Sequence, residues 1–155
     1  RGVGELGIMI AFGPLLVVGA AAVQIGVIEP MYLLAGIPTG LLTVAIVWIN
    51  EFPDIKGDAA SNKRTLVVRL GLKKSRWAYL AMVLLAYISL VVLVLLEILP
   101  MQALAGLFTL PLALYVTRQI FLNYESRDIK GAMAGTIFLH FLTGVLMVVG
   151  VCLAV

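Results

Sequence analysis

Charge is scarce in this chain: Asp, Glu, Lys and Arg make up 12% of its 155 residues, against 63% hydrophobic residues. The mean hydropathy is +1.13, and a water-soluble domain of this length cannot hide that much apolar surface. Polar and apolar residues show little alternation, which argues against a membrane β-barrel. The single cysteine, Cys152, excludes an intrachain disulfide. The single histidine, His140, has no second His, Cys or carboxylate near it in sequence, which argues against a metal centre there. Neither an internal repeat nor a low-complexity tract is evident.

What the chain does have is five apolar runs, at roughly residues 5–25, 31–52, 77–98, 101–122 and 132–154. Each is long enough to cross a hydrocarbon core about 30 Å thick. The expected fold is all-α: one transmembrane helical domain over residues 1–155, with the lipid bilayer as its solvent. The joints fall at Glu29-Pro30, at 53–76, at Leu99-Pro100 and at 123–130. The first run lacks a basic leader and a cleavage site and is followed by four more, so it is not a cleavable signal peptide. The chain begins at Arg1 where a start would have methionine, and the expectation is that residues precede it.

Orientation follows from the basic residues. All eleven, Arg1, Lys56, Lys63, Arg64, Arg69, Lys73, Lys74, Arg76, Arg118, Arg127 and Lys130, fall on one side of the expected topology. The N-terminus and the 53–76 loop are therefore expected in the cytoplasm and the C-terminus outside. The formal net charge of +3 reads as a topology signal and as attraction for an anionic ligand, not as nucleic-acid binding.

Within the runs, Cys152 reads as a small apolar packing residue, and His140 as a packing residue or one making a single hydrogen bond. Gly36/Gly40 and Gly131/Gly135 carry the small-xxx-small spacing of closely packed helices. Pro14, Pro38 and Pro111 are expected to kink their helices.

The most informative stretch is 50–70. Asn50, Asp54 and Asp58 recur every fourth residue, so on a helix each step rotates about 40° and rises about 6 Å, leaving them on one face. Two carboxylates and an amide converging on one spot suit a hard cation such as Mg²⁺ shared with a phosphate ligand. Lys63 and Arg64 follow, placed to meet the remaining negative charge. Pro53 is expected to end the second run near Phe52 and to open a short helix carrying both aspartates. The plainer alternative is a solvated cytoplasmic loop whose charges only enforce topology.

Asn50-Glu-Phe-Pro-Asp54-Ile-Lys-Gly-Asp58, followed by Asn62-Lys63-Arg64-Thr65-Leu66-Val67-Val68-Arg69-Leu70-Gly71, closely resembles the second aspartate-rich motif of the UbiA superfamily of intramembrane prenyltransferases. The tail from Lys63 looks most like the branch acting on 1,4-dihydroxy-2-naphthoate in menaquinone synthesis. The likeness extends back over Gly4-Glu5-Leu6-Gly7 and Phe12-Gly13-Pro14, covers about 70 residues, and fades to hydropathy alone beyond them. Asn62 stands where the family usually has glycine, and asparagine also tolerates left-handed backbone.

That resemblance implies nine transmembrane helices and two aspartate-rich motifs, of which residues 1–155 hold only the second, on helices five to nine. Helices one to four, with the first motif, are then missing, and the isolated chain is expected to be inactive. The implied chemistry is Mg²⁺-dependent transfer of a prenyl group from a polyprenyl diphosphate to an aromatic acceptor, in the inner or plasma membrane with the active-site loop cytoplasmic. Asp54 and Asp58 would be the metal-binding and catalytic residues, with Asn50, Lys63, Arg64 and Arg69 on the diphosphate. The competing reading is a non-catalytic membrane subunit or a diphosphate-lipid binding module.

Overall fold

A computed structural model describes residues 3–154, leaving Arg1 of the charge count outside the described residues. Among the described residues all regular structure is helical, and five segments are long and apolar enough to span a membrane: Gly4–Ile25, Pro30–Asn50, Leu72–Leu95, Met101–Asn123 and Lys130–Cys152.

Three of these spans are broken where the sequence has proline. The first comprises α1 (Gly4–Phe12) and α2 (Pro14–Ile25), and the second α3 (Pro30–Ala35) and α4 (Ile37–Asn50). The fourth starts as a 3₁₀ run, Met101–Thr109, and continues as α8 (Leu110–Asn123). Pro14, Pro38 and Pro111 each lie in the first turn of the helix they open, where a missing N–H leaves no bond unmade. The expected kinks are thus helix restarts, and the backbone groups freed at each break lie at a helix end.

The first break is also where two spans touch. A Cβ on Gly13 would come within 2.5 Å of Gly36 O and 2.7 Å of Gly40 Cα, so only glycine lets α1 cross α4 this closely. Gly36 and Gly40 thus act as the spacing predicts, within the bundle. Of the other pair, Gly135 lies against Val116, while a Cβ on Gly131 would meet nothing within 4 Å.

Helices α4, α7 (Leu72–Leu95), α8 and α9 (Lys130–Cys152) enclose the core, in which Leu42, Ile49, Tyr79, Ile120 and Leu139 are fully buried. Hydroxyl groups cross-link these helices inside the apolar layer. Tyr79 Oη lies 2.9 Å from Thr136 Oγ1, and Thr109 Oγ1 lies 2.7 Å from Tyr87 Oη and 2.8 Å from Thr143 Oγ1. In hydrocarbon each polar group needs such a partner. His140 makes the single hydrogen bond anticipated for it. His140 Nε2 lies 3.2 Å from Thr43 Oγ1, and that hydroxyl also reaches Thr39 O at 2.9 Å. Cys152 differs from its reading: it is exposed at the end of α9, on the rim of an apolar groove with Val17, Leu99 and Met147.

The charged joint is more ordered than a loop. It holds α5 (Ile55–Ala60) and α6 (Leu66–Leu70), and α7 begins at Leu72, taking in Lys73, Lys74 and Arg76 ahead of the apolar run. Arg76 lies over the rings of Phe121, 5.0 Å from its centroid, and Tyr124, at 4.3 Å. Trp48 Nε1 donates to Ser75 O at 2.9 Å. These contacts gather the end of α4, the start of α7 and the end of α8 at the same end of the bundle as the charged joint.

Candidate functional site

Helix α4 ends at Asn50, and residues 51–54 turn before α5 begins at Ile55. The short helix therefore opens two residues after Pro53. Asp54 sits at its N-cap, and the Asp58 N–H donates to Asp54 O at 2.8 Å, so the two aspartates are one helical turn apart as the spacing predicts. Asp54 is exposed and Asp58 half-buried. At the end of α4, Asn50 keeps a buried Oδ1 with no hydrogen-bond partner among the described residues.

Helix α5 ends in a left-handed residue. Asn62 has φ 60°, a conformation that asparagine takes more readily than most side chains, and the next amide, Lys63 N, donates back to Asp58 O at 2.9 Å. This reversal returns the Lys63 side chain to Asp58, with Nζ 3.0 Å from Oδ2 and 3.2 Å from Oδ1. The bond to the Asp58 carboxylate lifts the Lys63 ammonium above its usual 10.5, keeping it charged.

The segment then enters α6. Thr65 is the N-cap, its Oγ1 accepting from Val68 N at 3.3 Å. The next amide, Leu66 N, donates to Glu5 Oε1 on α1 at 2.9 Å. Glu5 is only 7% exposed. Glu51, just past α4, lines the same cleft as Thr65, and its Oε2 is buried without a partner among the described residues. Burial raises the Glu51 carboxyl above its usual 4.5, nearby Glu5 and Asp58 push it the same way, and Thr65 and Lys63 oppose them.

Glu5, Ile8, Val47, Glu51, Lys63 and Arg64 line a cleft of about 260 Å³ between α1, α4 and the 63–65 segment. Lys63 belongs both to this cleft and to the Asp58 pair, which joins the cleft to the aspartate helix. The lining does not include Asp54, Asp58 or Arg69; Arg69 is exposed in the last turn of α6. Glu5, Glu51 and Thr65 were not candidates from sequence. Thr65 carried a local signal, a threonine directly before the apolar residues Leu66, Val67 and Val68. Glu5 carried a weaker one, as the sole carboxylate in the first span.

Among the described residues no three His, Cys, Asp or Glu side chains gather as a metal site. The donors in the motif are all oxygen: two carboxylates one turn apart and the partnerless Asn50 Oδ1. That set fits a hard divalent cation taking its other ligands from phosphate and water.

Residues 1–143 match the model of the UbiA prenyltransferase family. The 1,4-dihydroxy-2-naphthoate octaprenyltransferase of Escherichia coli is 31% identical over 99% of this chain and 50% of its own length. The UbiA prenyltransferase domain-containing protein 1 of Xenopus tropicalis is 34% identical over 97% of this chain and 42% of its length. A 1,4-dihydroxy-2-naphthoate octaprenyltransferase of Mycobacterium tuberculosis is 35% identical over 73% of this chain and 38% of its length. The chain spans about half the length, or less, of the relatives it matches. With the motif, the helical membrane architecture and these likenesses in agreement, the chain belongs to the UbiA prenyltransferase family.

Proposed function

We propose that the protein transfers a prenyl group from a polyprenyl diphosphate to an aromatic acceptor, 1,4-dihydroxy-2-naphthoate, in a step of quinone synthesis. The observation that carries this reading is the Asp54–Asp58 turn with Lys63 folded back onto it, at the end of an apolar bundle. Two of the three relatives described above are named for that acceptor.

Asp54 and Asp58 would hold Mg²⁺, with Asn50 beside them. When bound, the ion draws electron density toward the diphosphate as a Lewis acid and favours departure of that group. Lys63 leaves Asp58 for the diphosphate oxygens, exchanging one anionic partner for another, and Arg64 and Arg69 meet the remaining charge. Preorganised positive groups facing the leaving oxygen stabilise charge as it develops, commonly the largest contribution to such a barrier. The bond between the prenyl carbon and the diphosphate oxygen breaks with its electron pair going to oxygen. The allylic cation left behind is captured by a π electron pair of the acceptor ring, and the ring carbon that forms the new bond then loses its own substituent, as a proton or as carbon dioxide, whose bonding pair returns to the ring. The apolar spans keep water, the competing nucleophile, from the cation.

In this reading the opposing aspartate-rich motif comes from outside residues 1–155, so these residues alone are inactive. The basic residues at one end of the bundle support a cytoplasmic site in the inner or plasma membrane and a C-terminus on the far side. The test is prenyl transfer to dihydroxynaphthoate in vesicles holding the product of the complete gene, with Mg²⁺ and with EDTA. The reading expects product with Mg²⁺ and none with EDTA. Diphosphate binding without transfer would favour the binding-module alternative, and efficient turnover by residues 1–155 alone would contradict the divided site.

A further inference from the structure

We propose that Glu5 is a positioning residue, which holds the Lys63–Arg64 segment in place by fixing the first amide of the helix that follows it. This rests on the function proposed above for those two bases.

Helix α6 has five residues, too few to hold itself against fraying. Its first amide, Leu66 N, has no acceptor within its own helix, as is general for a first turn. The acceptor is Glu5 Oε1 at 2.9 Å, from a residue 61 positions earlier and on a different span. A carboxylate this buried is costly to desolvate without such a partner, so the pair holds from both sides. Thr65 adds a second tie within α6, its Oγ1 accepting from Val68 N at 3.3 Å. Upstream, Lys63 N is fixed to Asp58 O at 2.9 Å. The residues carrying the bases are therefore held at both ends, on one side by the aspartate helix and on the other by the Glu5 carboxylate of the first span.

The geometry separates two substitutions. In Glu5→Gln the side-chain oxygen still accepts from Leu66 N, while Glu5→Leu removes the acceptor. Leu66→Pro removes the donor instead, at the first helical position, where proline is tolerated, and after Thr65, whose ψ of 164° suits a residue preceding proline.

The experiment uses the product of the complete gene in vesicles. Expected for Glu5→Leu and Leu66→Pro is a rise of about tenfold in KM for the prenyl diphosphate with KM for the acceptor unchanged, and near-wild-type values for Glu5→Gln. The double variant Glu5→Leu/Leu66→Pro should be no worse than either single one, since both break the same bond. Limited trypsin cleavage after Lys63 and Arg64, which needs no turnover, should accelerate several-fold in Glu5→Leu and Leu66→Pro and not in Glu5→Gln. Unchanged diphosphate KM and unchanged cleavage in Leu66→Pro would overturn the proposal, as would a Glu5→Gln variant as impaired as Glu5→Leu. If Glu5→Leu does not fold, Leu66→Pro and Glu5→Gln still decide. A wild-type protein that transfers no prenyl group refutes the function, while the cleavage pattern still decides the role of Glu5.

Discussion

Lys63 and Asp58 hold each other at 3.0 Å, and in the proposed reaction both act on the diphosphate and its metal. Their pairing stores a base beside the carboxylate whose ligand it will meet, and an arriving diphosphate exchanges partners with it. Lys63 is 59% exposed and Asp58 13% at the side chain, and exposed ion pairs add little to stability. Lys63→Met is therefore expected to leave the thermal unfolding midpoint unchanged while prenyl transfer falls by about tenfold or more. Unchanged transfer in a folded variant would assign Lys63 to the surface alone.

Glu51 gives a pH signature. Its carboxyl is raised mainly by burial, so the folded protein holds that proton more tightly than the unfolded chain does. The associated stability is fully present below the unfolded value and declines as pH rises through the folded one. Glu51→Gln keeps the size of the side chain and does not titrate. Its unfolding midpoint should rise relative to wild type over a pH window that opens near the usual 4.5 and extends upward from there. A difference that stays constant across that window would contradict the raised carboxyl.

The crossing of α1 on α4 depends on the absence of a methyl group. Gly13→Ala places Cβ against the Gly36 and Gly40 backbone, which cannot rotate away, and should destabilise the protein by about 1–3 kcal/mol. Gly19→Ala, with nothing within 4 Å of its Cβ, is the matched control and should be neutral or slightly stabilising. Detergent-solubilised unfolding midpoints distinguish them, and equal effects at both positions would contradict the close crossing.

Inside the bilayer layer, Thr109 Oγ1 bonds Tyr87, Thr143 and the Gly106 carbonyl. Thr143→Val removes one member and should cost about 0.6 kcal/mol, the usual size for such bonds within a membrane. A double-mutant cycle with Tyr87→Phe should show coupling through Thr109, and strict additivity would mean that the two bonds are independent.

Hydropathy alone places the spans, because a membrane-crossing helix must be apolar over its whole length. The third span is the instructive departure. Its charged start suggested a loop reaching to residue 76, yet α7 begins at Leu72, since Lys and Arg favour helix and Arg76 rests on Phe121 and Tyr124. Residue spacing also places Asp54 and Asp58 one turn apart, and it puts Gly36 and Gly40 on a packing face. It does not reveal Glu5 at Leu66, because nothing local links residues 61 positions apart. Nor does it show that the prolines restart helices, two of them, Pro14 and Pro38, beside the Gly13–Gly36–Gly40 crossing.

The central claim is that Asp54 and Asp58 act on the diphosphate, and the most direct measurement is the prenyl transfer rate of Asp54→Asn and Asp58→Asn in the product of the complete gene, at saturating Mg²⁺ and matched folded yield. Asparagine keeps the size of each side chain and removes its charge. The account predicts a loss of about a hundredfold or more in each variant with the protein still folded. Transfer within about twofold of wild type in either one would return these aspartates to a solvated loop.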